Sequence, residues 1–85
     1  MTWHVFWTSR GETMLQQALD ASAQPDKTAI ASEMMERLLE IDPFAVGESR
    51  ADDDRILFQG DYAAIYRVHT DDQVVGIHTF WRWAK

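Results

Sequence analysis

Residues 55–83 read RILFQGDYAAIYRVHTDDQVVGIHTFWRW and predict three β-strands joined by two tight hairpins. Gly60-Asp61 is a two-residue hairpin signal, because glycine takes the positive φ that a type II′ turn requires. Asp71-Asp72 is a second and weaker turn signal. These turns delimit strands over residues 55–62, 63–69 and 73–83.

The residues upstream predict a strand over residues 3–7 and helices over residues 10–21 and 25–40. Thr8 or Ser9 caps the first helix, and Pro25 opens the second. We expect one face of the second helix to be buried. That face holds Ile30, Met34, Leu38 and Ile41, with Ala31 and Met35 beside it.

The order of these elements, β-α-α-β-β-β, predicts an α+β fold over a single domain, residues 1–85. In this fold the helical hairpin packs on one face of a small, mainly antiparallel sheet. Residues 44–54 connect the second helix to the meander as a loop. The sequence leaves open which edge of the sheet the first strand joins.

Composition excludes several classes of protein. The 85 residues include no cysteine, so a disulfide framework and thiolate chemistry are ruled out. The net charge of −6 argues against non-specific nucleic-acid binding. The three histidines lack metal-ligand spacing and no phosphate-binding glycine loop is present, so we expect neither metal nor cofactor. With no apolar run of membrane-spanning length and no secretion signal, the expectation is a cytoplasmic protein without a membrane partner.

The hairpin registers divide the meander into two faces. Two-residue loops set Arg67 opposite Gly76, His78 opposite Ile65, and Phe80 opposite Ala63. One face is then apolar and is expected to carry the helices. The other face mixes cations, histidines and aromatics: Ile56, Phe58, Ile65, Arg67, His69, His78, Phe80 and Arg82. Such a face suits an anion, a nucleic-acid strand with bases stacked on Phe80, or a partner peptide, although an ordinary solvent-exposed face is an equal alternative.

Several segments resemble the RelE/ParE toxin family of bacterial type II toxin–antitoxin systems. WHVFWTS, residues 3–9, is similar to the family's opening strand, and LLEIDPFAVGESR, residues 38–50, to the end of its second helix. RILFQGDYAAIYRV, residues 55–68, resembles the family's R-x-x-x-x-G-x-Y-R-x-x-Y-x-V segment, and residues 74–82 resemble its last strand. The resemblance spans almost the whole chain.

The resemblance implies a growth-inhibiting toxin that a cognate antitoxin neutralises. Its implied target is either mRNA, cleaved on the ribosome, or DNA gyrase. Arg55 matches the first family arginine and Arg82 the C-terminal basic position, whereas Ala63 stands where a second arginine is expected. RNA cleavage without a metal needs an acid, a base and cations. The candidate catalytic residues are Arg55, His78 and Arg82, and the candidate binding residues are Arg50, Arg67, His69, Phe80 and Lys85.

Two alternatives stand beside the toxin interpretation. The missing arginine at Ala63 and the acidic net charge favour a catalytically degenerate protein of this fold that acts as a protein-binding module. A small homodimeric protein that associates through its tryptophan-rich edge is the third interpretation. Whether the chain is an enzyme stays open at the level of its sequence.

Overall fold

A computed structural model describes residues 2–84 and shows two helices packed on one face of a five-stranded open sheet. The elements in chain order are β1 (His4–Trp7), α1 (Ser9–Ala21), α2 (Pro25–Ile41), β2 (Glu48–Ser49), β3 (Asp54–Gln59), β4 (Tyr62–His69) and β5 (Val74–Arg82). The sheet order is β1-β5-β4-β3-β2, in which β1 runs parallel to β5 and the other neighbours are antiparallel. The predicted α+β class is confirmed.

The start of α1 is fixed against β5. Thr8 is the N-cap residue and accepts a hydrogen bond from the Gly11 amide at 3.1 Å. The Thr8 amide donates to the Ile77 carbonyl at 3.0 Å. A Cβ atom at Gly11 would clash with that same carbonyl oxygen, so glycine permits the close approach of the helix to the strand. The first turn of α1 is thereby held at the middle of β5.

The prediction of the buried face of α2 is confirmed for Ala31 and Met35, which are buried, but it is wrong for three other residues. Ile30, Met34 and Ile41 are 55%, 45% and 74% exposed, whereas Met35 and Leu39 are fully buried. The helix is turned so that its small and polar residues also face the sheet; they include Ala31, Ser32 and Thr28. The Thr28 hydroxyl is hydrogen-bonded to the Tyr62 hydroxyl, which removes the cost of burying both groups. An apolar stripe on α2 therefore remains uncovered.

The two hairpins differ in how well the sequence specified them. Gly60 has φ +59° in the predicted first turn, and Ile56 pairs with Ile65 across it. In the second hairpin Arg67 pairs with Gly76 as predicted, but the register shifts between Ile65 and Tyr66. Ile65 faces Thr79 instead of His78, so β5 contains a bulge at His78. Every side chain beyond the bulge consequently points to the opposite face from the one predicted.

The bulge corrects the expected placement of two site residues. Phe80 is 1% exposed in the core, where it stacks on Tyr62 with ring centroids 5.3 Å apart. It cannot stack on a nucleic-acid base from that position. Arg82 pairs with Tyr62 and lines a cavity with residues of the α1–α2 connection, on the helix side of the sheet. Trp81 lies with Ala63 on the outer face, which is the sheet face turned away from the helices.

The segment between α2 and β3 also departs from the prediction. A two-residue strand, β2, forms where a loop was expected and pairs with β3 at Arg55 and Ile56. None of the helices within residues 2–84 combines the length and the apolar character that crossing a membrane requires.

Candidate functional site

A hydrogen-bonded network of three charged or titratable side chains crosses the outer face. Asp54 at the start of β3 accepts from Arg67 Nε of β4 at 3.1 Å. The same oxygen, Asp54 Oδ1, lies 3.1 Å from His78 Nε2 of β5. His78 Nδ1 lies 2.9 Å from the Thr79 hydroxyl. Three adjacent strands thus each supply one member of the network.

The network borders a cavity of about 380 Å³ on the outer face. Besides Arg67 and His78, the cavity is lined by Arg10, His69 and Gly76, and by Thr8 at the start of α1. Helix N-termini carry partial positive charge, so this end of α1 reinforces the two guanidinium groups. The predicted grouping of Arg67, His69 and His78 is brought together here. The charge and the donors of the cavity suit an anionic ligand such as a phosphate.

The pKa of Asp54 determines which groups of the network carry charge and which donate hydrogen bonds. Partial desolvation raises the pKa of Asp54, but hydrogen bonds from His78 and Arg67 and their positive charge outweigh it and hold the pKa below its usual value of 3.8. The carboxylate is therefore ionised at neutral pH and can only accept hydrogen bonds. When His78 is neutral, its Nε2 carries the proton toward Asp54, and Nδ1 faces the Thr79 hydroxyl as an acceptor.

Arg55 lies on the helix side of the sheet and binds the loop that follows α2. Its Nε donates to Tyr66 Oη at 3.2 Å, and its Nη2 donates to the carbonyls of Phe44, Val46 and Gly47 at 3.2–3.3 Å. Burial raises the pKa of the Tyr66 phenol above its usual 10.0, although Arg55 opposes the shift. A neutral phenol keeps its proton for the loop carbonyls. Arg55 and Tyr66 together fasten this loop to the sheet.

The remaining candidate residues do not converge on the cavity. Arg82 Nη2 lies 3.7 Å from Asp61 Oδ2 on the helix side. Arg50 is exposed beside β2, and its amide donates to the Asp54 carbonyl. Lys85 lies outside the described residues. The structure therefore separates the three predicted catalytic residues, and only His78 faces the cavity.

Sequence reasoning missed Asp54, Arg10 and Thr79. The run Asp52-Asp53-Asp54 reads as a solvated loop, yet Asp54 pairs with Arg67 as the first residue of β3. If the predicted strand began at residue 54 instead of 55, the register would place Asp54 opposite Arg67, and the sequence would predict this ion pair. Thr79 depends on the bulge, for which the sequence carries no distinct signal.

The other half of the outer face is aromatic. Phe58 of β3 and Trp83, just beyond β5, have ring centroids 5.6 Å apart and an interplanar angle of 82°. Trp83 Nε1 donates to the Gly60 carbonyl at 3.1 Å. Trp81 lies on the same face, paired with Ala63. The outer face thus joins a polar cavity to an exposed aromatic surface.

Comparison with solved structures identifies the architecture. A chain of the RelBE2 toxin–antitoxin complex from Mycobacterium tuberculosis superposes with a TM-score of 0.80 at 20% identity, covering 96% of this chain and 99% of that one. A chain of the chromosomal ParDE system from P. aeruginosa gives 0.72 at 19% identity, with 99% and 98% covered. A chain of the archaeal RelE–RelB complex from Pyrococcus horikoshii OT3 gives 0.68 at 22% identity, with 100% and 99% covered. This chain has a RelE/ParE-like fold.

The RelE/ParE-like fold extends over the described chain, since each superposition covers at least 96% of it. No protein-family model matches the sequence, and no curated protein does. In this RelE/ParE-like fold the position where the sequence resemblance implies a second arginine is Ala63, which is fully buried. The guanidinium groups at the outer-face cavity come from Arg10 and Arg67 instead.

Proposed function

We propose that this chain is the toxin of a type II toxin–antitoxin module, and that it arrests growth by cleaving RNA at the outer-face cavity. Chains of the same fold in solved toxin–antitoxin complexes support the toxin role. The observation that carries the chemical part is His78, hydrogen-bonded to an ionised Asp54 beside Arg67 at the cavity. Acid–base groups next to cations are what phosphodiester cleavage requires.

The proposed reaction begins with a phosphodiester held by the guanidinium groups of Arg10 and Arg67. The 2′-hydroxyl attacks the adjacent phosphorus as its proton passes to an imidazole of the cavity. A bond from the 2′-oxygen to phosphorus forms and the bond from phosphorus to the 5′-oxygen breaks. A second imidazole donates a proton to the leaving 5′-oxygen, which leaves a 2′,3′-cyclic phosphate and a 5′-hydroxyl.

The roles of the side chains follow from their contacts. Asp54 orients the His78 imidazole, because its Oδ1 lies 3.1 Å from His78 Nε2. His69 lines the same cavity and is the second imidazole available for proton transfer. The arginines offset the charge that develops on the non-bridging phosphate oxygens. Inhibition of gyrase would need none of these proton carriers, so we favour RNA over gyrase as the target.

A cognate antitoxin is the partner we propose for the helix side. Ile30 and Met34 of α2 line an apolar groove of about 250 Å³ with Gln59 and Asp61 beside it. The groove adjoins an open sheet edge, because within residues 2–84 no strand pairs with β3 beyond Ile56 on that side. An extended segment with apolar side chains fits both features by adding a strand and filling the groove.

The second candidate function is a catalytically degenerate binding module. Ala63, at the position where the family resemblance implies an arginine, and the exposed α2 stripe favour it. In that case partner binding at the groove is the whole function, and the outer face has no reaction to perform.

Colony formation after induced expression of the chain alone in a bacterial host tests the proposal. Wild type, His78→Gln and His4→Gln are compared; His4 is an exposed histidine of β1 that is not part of the network. We expect growth arrest with wild type and His4→Gln and its loss with His78→Gln, together with RNA ends that carry 2′,3′-cyclic phosphates. Arrest that persists in His78→Gln contradicts RNA cleavage at this site. Normal growth with folded wild-type protein favours the binding module.

A further inference from the structure

Both ring nitrogens of His78 are engaged by other side chains of the protein. Nε2 lies 3.1 Å from Asp54 Oδ1, and Nδ1 lies 2.9 Å from the Thr79 hydroxyl oxygen. A half-turn of the ring about its Cβ–Cγ bond would place carbon atoms opposite these partners and would break both hydrogen bonds. A single orientation of the imidazole therefore satisfies both partners, and in that orientation each nitrogen already has one.

The bulge in β5 makes the contact between His78 and Thr79 possible. In a regular strand, consecutive side chains point to opposite faces of the sheet, and these two residues would be separated by the strand itself. The register instead sets Thr79 opposite Ile65 and Ile77 opposite Tyr66, so that His78 is the inserted residue. Thr79 consequently shares the outer face with His78, and its side chain is only half-buried there.

The three side chains form a hydrogen-bonded chain from a carboxylate through an imidazole to a hydroxyl group. Asp54 is ionised at neutral pH and only accepts hydrogen bonds, so the neutral imidazole carries its proton on Nε2. Nδ1 is then the basic atom of His78, and the Thr79 hydroxyl covers its lone pair. The same order of groups lets an imidazole withdraw a proton from a hydroxyl group in a Ser-His-Asp triad. A proton that reaches Nδ1 in this arrangement arrives through Thr79.

We infer that Thr79 is a further catalytic residue, which relays the proton of the RNA 2′-hydroxyl to His78; this inference rests on the proposed function. Thr79 Oγ1 accepts the proton of the 2′-hydroxyl as its own proton passes to His78 Nδ1, so the threonine is unchanged. The 2′-oxygen bonds to phosphorus, the bond from phosphorus to the 5′-oxygen breaks, and the leaving oxygen takes a proton from the second imidazole. Asp54 stays ionised throughout, and the imidazolium of His78 later returns its proton to solvent.

RNA cleavage by variants of Thr79 tests the relay. The probe is a 5′-labelled mRNA, supplied both free and bound to ribosomes. We expect Thr79→Val, which keeps the β-branched shape but has no hydroxyl, to lower kcat by about a hundredfold or more with little change in KM. Thr79→Ser keeps a hydroxyl and should retain most of the activity. Thr13→Val is the control, because Thr13 is exposed on α1 and its hydroxyl donates to the Ser9 carbonyl of the same helix at 3.0 Å.

Nitrogen-15 NMR of the RNA-free protein gives a second measurement that does not depend on activity. The Nδ1 resonance of His78 should move in Thr79→Val, return toward its wild-type position in Thr79→Ser and stay in place in Thr13→Val, because only the first variant removes the hydroxyl from Nδ1. The same spectra show whether each variant is folded. Thr79→Ala repeats the comparison with a smaller side chain that also lacks the hydroxyl.

Three outcomes contradict the relay. Cleavage by Thr79→Val at the wild-type rate, with His78→Gln inactive, overturns the relay and leaves the proposed function intact. An Nδ1 resonance that is the same in wild type and Thr79→Val shows that the hydroxyl does not contact the ring. An RNA fragment found covalently bound to Thr79 by mass spectrometry makes the hydroxyl a nucleophile instead of a relay. If wild type cleaves the probe in neither form, the proposed function itself is wrong and the relay with it.

Discussion

Asp54 connects three strands through one oxygen atom, since its Oδ1 meets both Arg67 and His78. The residue ends an acidic run whose other members, Asp52 and Asp53, are exposed. Its neighbours in sequence therefore give no indication of its role. Its partners Arg67 and His78 belong to β4 and β5, and only the strand register identifies them as partners.

Replacing Asp54 by asparagine should change how stability depends on pH. Because the folded-state pKa of Asp54 is held below 3.8, its ionised form stabilises the fold above the unfolded pKa, and this contribution is lost as pH falls through the folded value. We expect Asp54→Asn to be less stable than wild type at pH 7 and to lose less stability between pH 5 and pH 3. Urea unfolding across this range measures both. Asp53→Asn, with an exposed side chain, should keep the wild-type acid dependence, and an unchanged slope in Asp54→Asn contradicts the network.

Individual elements show which parts of this fold local sequence determines. The first hairpin was predictable because Gly60 requires a turn and both flanking strands are apolar. The bulge at His78 could not be predicted from the sequence, because the inserted residue is neither glycine nor proline. Helix α2 has two apolar stripes, and the choice between them is made by tertiary contacts such as the hydrogen bond between the Thr28 and Tyr62 hydroxyls. Arg55 was found by its family motif, but its contacts fasten a loop rather than line the cavity.

Two neighbouring methionines of α2 test the orientation of that helix. Met35 is fully buried against the sheet, whereas Met34 is 45% exposed. We expect Met35→Ala to lower the free energy of unfolding by about 2–5 kcal/mol, as for other buried methionines. Met34→Ala should change it by less than about 1 kcal/mol. Chemical denaturation of the two variants measures the free energy of unfolding for the same substitution at a buried and at an exposed position. Equal losses at both positions contradict the orientation of α2.

At the scale of the whole molecule, the sheet separates two surfaces with different chemistry. The outer face carries the polar cavity and the exposed rings of Phe58 and Trp83, whereas the helix side carries the apolar groove of α2 beside the open edge of β3. Pairing of two copies through that edge would bring together two chains of net charge −6. Like charge opposes such association, so a different polypeptide is the better occupant of the groove. The proposed toxin function, with a reactive surface on one side and a partner groove on the other, is consistent with this division.

The groove is tested by making it repel an apolar segment. Met34→Asp introduces a charge where the antitoxin is proposed to bury an apolar side chain, and desolvating that charge without a partner is costly. We expect co-expression of the proposed cognate antitoxin to restore growth with wild type but not with Met34→Asp. Ile41→Asp, on the same helix but outside the groove, should be neutralised as wild type is. If the antitoxin still neutralises Met34→Asp, the proposed binding groove is wrong. The proposal for the cavity is unaffected by that result, because Met34 lies on the helix side and His78 on the outer face. The two halves of the proposed function can therefore fail independently of each other.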